Sequence, residues 1–104
     1  MAKKKDINYL RKFRKALSQK LPIEKMYLFG SRAKGKPMRW SDFDLVIVSS
    51  EFKGKESYER PVGFHKYWSI DYPVDFLCYT PEEFNKLKKQ ITIVREAVRE
   101  GIEI

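Results

Sequence analysis

Leu28-Phe29-Gly30-Ser31-Arg32-Ala33-Lys34-Gly35 and, five residues later, Ser41-Asp42-Phe43-Asp44-Leu45-Val46-Ile47-Val48 are the segments whose reading decides the fold. Met26 to Phe29 is a short apolar run that stops at a glycine, as a buried strand would. Gly30 lets the backbone turn sharply off that strand, and Ser31 can both cap a following helical turn and offer its hydroxyl to a phosphate oxygen. Amides at such a start favour anions. With Arg32 and Lys34 beside them, Gly30 and Ser31 form a plausible cradle for the β- and γ-phosphates of a nucleoside triphosphate.

The second segment reads as a strand from Phe43 to Val48, apolar and β-branched throughout Leu45-Val46-Ile47-Val48, which predicts a central strand covered on both faces. Asp42 and Asp44 are two apart along it, so their side chains leave the same face with Cα atoms about 6.6 to 6.8 Å apart. Magnesium takes oxygen ligands in an octahedron and is commonly held by one or two carboxylates plus substrate phosphates, which suits this pair. Asp75 has the same character, a carboxylate inside Pro73-Val74-Asp75-Phe76-Leu77 that can face the first two from a neighbouring strand. Three acids suit two cations, which in an in-line transfer can activate an attacking hydroxyl and stabilise the leaving pyrophosphate. Asp71 is an alternative third acid. The plain structural alternative for the whole set is a strand-turn-helix junction with a solvated acidic edge.

Working outward, Ile7, Leu10, Phe13 and Leu17 recur at three- and four-residue spacing, which predicts an amphipathic helix from Asp6 to about Lys20 that Pro22 cannot continue. Residues 49 to 57 read as a polar loop, and Tyr58 to Trp68 as a helix, against which Pro61 and Gly63 argue. A third strand spans Val74 to Tyr79. Thr80-Pro81-Glu82-Glu83 is a helix start in which Thr80 caps, Pro81 occupies the first turn and Glu83 reaches back to the capping amide. Phe84, Leu87 and Ile91 supply the buried stripe. A last helix through Val94 and Val98 stops at Gly101, leaving Ile102-Glu103-Ile104 as an edge strand or a docked tail.

At 104 residues with 42% apolar and 14% aromatic content, the chain suits one folded domain, residues 1–104, with no room for a second substrate-binding domain. The net charge of +8 favours anionic partners. One cysteine, Cys78, excludes an internal disulfide and a cysteine-rich metal site and suits a reducing cytoplasm. No run approaches a membrane span, and Met1-Ala2-Lys3-Lys4-Lys5 is no signal sequence. The first-helix lysines and Lys86, Lys88 and Lys89 read as solvated helix faces, with an electrostatic footprint for RNA or a partner as the less favoured alternative. Trp40 is expected to pack on its own domain. His65, the only histidine, has no identifiable partner and is assigned no catalytic role.

These residues resemble the minimal nucleotidyltransferase (MNT) family of the DNA polymerase β superfamily, whose motifs are Gly-Ser-Arg-Ala-(Arg/Lys)-Gly and Ser-Asp-x-Asp-Leu. The match is closest over residues 28 to 48, and Val94-Arg95-Glu96-Ala97-Val98-Arg99-Glu100-Gly101-Ile102 is similar to the family's usual ending. Lys34 departs from the common arginine and is given no essential role. The resemblance implies an α/β (α+β) domain with a small mixed sheet flanked by helices, packed on one side of it. It implies transfer of a nucleoside monophosphate, AMP from ATP, with Mg2+ held by Asp42, Asp44 and Asp75 and the nucleotide by Gly30, Ser31 and Arg32. It further implies an antitoxin that adenylylates a HEPN-type toxin protein. A noncatalytic antitoxin or RNA-binding module on the same fold is the rival, and self-association is left open.

Overall fold

Helix α1 (Lys4–Leu17) forms on its apolar stripe, burying Leu10, Phe13 and Leu17. The Ser18 hydroxyl donates to the Arg14 carbonyl at 2.7 Å where the helix ends, ahead of Pro22. The computed structural model describes residues 3–35 and 42–104, so the readings of Trp40 and Ser41 lie outside the described residues. Strands β1 (Lys25–Phe29), β2 (Phe43–Val48), β3 (Val74–Tyr79) and β4 (Ile102–Glu103) make one sheet in the order β3-β2-β1-β4. β2 runs antiparallel to β1 and parallel to β3, and β4 pairs antiparallel with β1.

The continuous apolar run of β2 is explained by burial on both sides. Phe43, Leu45 and Ile47 meet α1 together with Phe52 and Phe64, while Val46 and Val48 meet Phe84, Val94 and Ala97. Those last residues belong to α2 (Pro81–Leu87) and α3 (Ile93–Glu100). Helices therefore pack on both faces, a correction to the one-sided packing expected from sequence. The alternation of Tyr27 and Phe29 with Met26 and Leu28 in β1 has the same cause: each set has its own helix layer to fill.

Two further expectations change. Tyr58 to Trp68 is a series of turns closed by a 3-10 turn at Phe64–Tyr67, because Gly63 takes φ of 89° and Pro61 cannot donate within a helix. Trp68 nevertheless earns its place by packing edge-on against Phe13, Phe43 and Phe76. The stripe ending in Ile91 stops short. Thr92 caps α3, accepting from the Arg95 amide at 3.3 Å and donating to the Leu87 carbonyl at 2.8 Å, so Ile91 falls in the link and is 93% exposed.

The expected capping box at Thr80 is present, with Glu83 accepting from the Thr80 amide at 2.9 Å and the Thr80 hydroxyl accepting from the Glu83 amide at 3.2 Å. Glu83 also receives both arms of the Arg60 guanidinium, at 2.6 and 3.1 Å. Arg60 donates in addition to the carbonyls of Cys78 and Lys55, each at 3.0 Å, so one side chain that is 9% exposed joins the 55–60 loop to β3 and α2. The Arg60 hydrogen bond is the main reason the Glu83 carboxyl is held below its ordinary range. Its contribution is present above the unfolded value of 4.5 and is lost as pH falls through the lowered folded value. Arg60→Ala is expected to cost about 2 kcal/mol, a fall in Tm of roughly 10 °C in a domain of this size. Thermal unfolding at pH 7 checks this, and a shift below about 2 °C would show that the clamp contributes nothing measurable.

Candidate active site

The end of β1, the start of β2 and the start of β3 meet at one edge of the fold. Gly30 leaves β1 with φ of 77°, a left-handed conformation that side chains with a Cβ resist. Its carbonyl accepts from the amides of Ala33 (3.1 Å) and Lys34 (3.3 Å), which tightens residues 31–35 into consecutive turns, the second bond having the spacing of a helical turn. Ser31 and Lys34 are exposed on that turn. Space is also tight: a Cβ there would lie 2.7 Å from Oδ2 of Asp44. The turn backbone and a carboxylate are thus in direct apposition.

Asp44 is opposite Phe29 on β1 and in register with Asp75 on β3. Adjacent strands are about 4.8 Å apart, so the two carboxylates start from neighbouring Cα atoms and leave the same face of the sheet. The amide of Phe43 donates to the Pro73 carbonyl at 2.9 Å, a bond that sets this register just before the acids. Asp42 is exposed immediately ahead of β2, Asp75 is exposed and Asp44 is half-buried. Of the two candidate third acids, Asp75 is the one aligned with Asp44; Asp71 is exposed upstream of β3. The pairing of β2 with β3 puts Asp75, which its apolar flanks Val74 and Phe76 already favoured, in register with Asp44.

Burial raises the Asp44 carboxyl above its ordinary value of 3.8, and the negative charges of Asp75 and Asp42 push it further. Among the described residues no three His, Cys, Asp or Glu side chains form a ready-made metal cage. What the fold does bring together are carboxylate oxygens with mutual repulsion and partial desolvation, the donor chemistry that a hard divalent cation relieves. The residues present fit Mg2+.

Arg32 is placed differently from the expectation that it lines the nucleotide. It is 5% exposed and turned into the fold, where Nη1 lies 3.4 Å from Oδ2 of Asp6. Its Cζ is 4.3 Å from the ring centroid of Phe43 and 4.4 Å from that of Tyr72. Asp6 and Tyr72 were not anticipated as neighbours of the site. A signal for Asp6 did exist, since it falls on the same helical stripe as Leu10, Phe13 and Leu17 and is buried with them. His65 is exposed with its ring edge-on to Phe76, and burial pushes the Cys78 thiol up to about 12. Neither has the setting of a reactive group.

A strand ending in a glycine turn against a carboxylate, with further acids beside it, has the donor chemistry of a site for a phosphate-bearing ligand with a divalent cation. Residues 10–99 match the family described as "Nucleotidyltransferase domain", and the chain belongs to that family and is a nucleotidyltransferase. It is 29% identical over 89 residues to a Haemophilus influenzae protein named "Probable protein adenylyltransferase MntA", an overlap of 84% of this chain and 78% of that one. This bears out the resemblance to minimal nucleotidyltransferases. A solved structure from Sulfolobus solfataricus, of a protein assigned as a nucleotidyltransferase, matches 99% of this chain and 87% of its own with a TM-score of 0.59 and 19% identity, which shows the shared fold. No helix among the described residues is long and apolar enough to cross a membrane.

Proposed function

We propose that this nucleotidyltransferase moves AMP from ATP to a hydroxyl on a partner protein, and that the partner is a HEPN-type toxin which the modification silences. The alignment of Asp44 with Asp75, with Gly30 closed against Asp44, carries the reading of the site. The name of the Haemophilus influenzae relative supports a protein as the acceptor.

In this scheme residues 1–104 act as one unit. The exposed backbone and hydroxyl of Gly30 and Ser31 receive the outer phosphates. Asp42 and Asp44, with Asp75, would supply the oxygen ligands for Mg2+, and the bound ion would neutralise charge on the phosphates. Asp75, exposed on the edge strand β3, takes the hydrogen bond of the acceptor hydroxyl and orients it toward the α-phosphorus. The acceptor oxygen forms its bond to that phosphorus as the bond to the β-phosphate bridging oxygen breaks, the hydroxyl proton passes to Asp75, and pyrophosphate leaves. Positioning and electrostatics supply most of the acceleration.

The test uses ATP labelled at the α-phosphate, Mg2+ and the protein encoded by the neighbouring gene. Label is expected on that protein, and none with the Asp42→Asn/Asp44→Asn double variant. A tight complex with no transferred label, and inhibition that survives the double substitution, would instead make this chain a binding antitoxin on the same fold.

A further inference from the structure

Arg32 is an oddity in a small domain. A buried cation paired with a carboxylate is weak evidence for stability, because the desolvation it demands is often matched by apolar residues of the same volume. Its location is more informative than its energy. Asp6, 26 positions away, holds it from α1 at 3.4 Å. The rings of Phe43 and Tyr72, with centroids 6.1 Å apart, form a corner in which the guanidinium sits 4.3 and 4.4 Å from each. Phe43 separates Asp42 from Asp44, and Tyr72 precedes Pro73, whose carbonyl takes the Phe43 amide at 2.9 Å and so sets the register of Asp75. One side chain, rooted two residues after Gly30, therefore touches the segments that carry every acid of the site.

We propose that Arg32 is a positioning residue: from beneath the site it fixes the distance between the Gly30-Ser31 turn and the Asp42, Asp44 and Asp75 carboxylates, with Asp6 and Tyr72 holding it in place. The planar, delocalised guanidinium is suited to lie against two rings while hydrogen bonding in its own plane, and a lysine ammonium is not. The consequence falls on a metal-nucleotide complex, which must reach the turn and the carboxylates at once. Arg32 sets how strongly the two halves cooperate, without itself touching phosphate. This rests on the nucleotidyl-transfer reading of the site.

The experiment compares binding of α,β-methylene ATP in EDTA and in Mg2+ by calorimetry, for the wild-type chain and for Arg32→Lys, Asp6→Asn and Tyr72→Leu, with Tm recorded for each. In the wild type Mg2+ tightens binding. In Arg32→Lys the affinity in EDTA is expected within about twofold of wild type while the gain from Mg2+ shrinks by about tenfold, with a loss of about threefold for each of the other two variants. Tyr72 is 37% exposed and Asp6→Asn keeps its shape, so both report even if a change at Arg32 fails to fold. Loss of affinity in EDTA with the Mg2+ gain intact would make Arg32 a phosphate ligand and overturn the proposal. A lower Tm with unchanged binding ratios would overturn it too, leaving a purely structural clamp. Wild-type binding that Mg2+ does not tighten is a separate result, which removes the underlying reading and the proposal with it.

Discussion

Asp44→Asn is expected to reduce nucleotidyl transfer by at least about a thousandfold and, at the same time, to make the metal-free protein more stable at pH 7. Both effects have one source. Asp44 is half-buried between Gly30 on one side and Asp75 on the other, with Asp42 two residues away, so its charge is disfavoured first by burial and then by two like charges. An acid whose folded pKa is raised binds more protons in the folded state than in the unfolded chain. Stability therefore falls as pH rises through the window that opens at the ordinary value of 3.8 and closes at the raised folded value. At neutral pH the whole of that loss is in force.

Asparagine removes the charge and the window with it. Asp44 is partly solvated, so the gain is modest, about 0.5 kcal/mol or roughly 2–4 °C in Tm. A bound cation reverses the sign by favouring the ionised carboxylate. Melting curves from pH 4 to pH 8, in EDTA and in Mg2+, read all of this. Asp44→Asn should be the more stable protein in EDTA at pH 7 and should lose that advantage in Mg2+ with nucleotide. If it melts below the wild type in EDTA, Asp44 is a structural residue and the electrostatic account of the site is wrong.

Gly30→Ala is expected to lower transfer by about a hundredfold while costing only about 1–2 kcal/mol of stability. The stability cost is that of a left-handed residue with a Cβ. The catalytic cost is larger because the new methyl group would sit 2.7 Å from Oδ2 of Asp44, and that oxygen ends a short side chain that can swing aside. The fold survives by moving the carboxylate. Gly54 separates the two effects, since its φ is 79° but nothing lies within 4 Å of a Cβ there. Gly54→Ala should show a similar stability loss and full activity. Equal activity in the two variants would remove Gly30 from the site.

Several elements are set by neighbours in the chain and could be read without coordinates. Thr80-Pro81-Glu82-Glu83 begins a helix because its capping bonds join residues three apart, and those bonds are present. Gly30 interrupts β1 where expected, and Phe43–Val48 is the doubly covered strand its unbroken apolar run predicts. Local rules failed where two of them competed. Thr92 could cap a new helix or let the Ile91 stripe continue, and capping prevailed. Tyr58 to Trp68 has a helical scatter of aromatic residues, but Pro61 and Gly63 leave the backbone in turns and the rings pack across the chain instead.

The sequence by itself singled out the candidate phosphate and metal groups, because a glycine turn and a pair of acids two apart are local patterns with local geometry. It also carried the family resemblance. Tertiary structure alone decided that β3 lies parallel to β2 with Asp75, not Asp71, beside Asp44, because strand register depends on hydrogen bonds between segments that are distant in the chain. It also decided that Arg32, read as a cation on the nucleotide, turns inward to Asp6, since which way a side chain on a tight turn points is settled by what α1 and the rings of Phe43 and Tyr72 offer it.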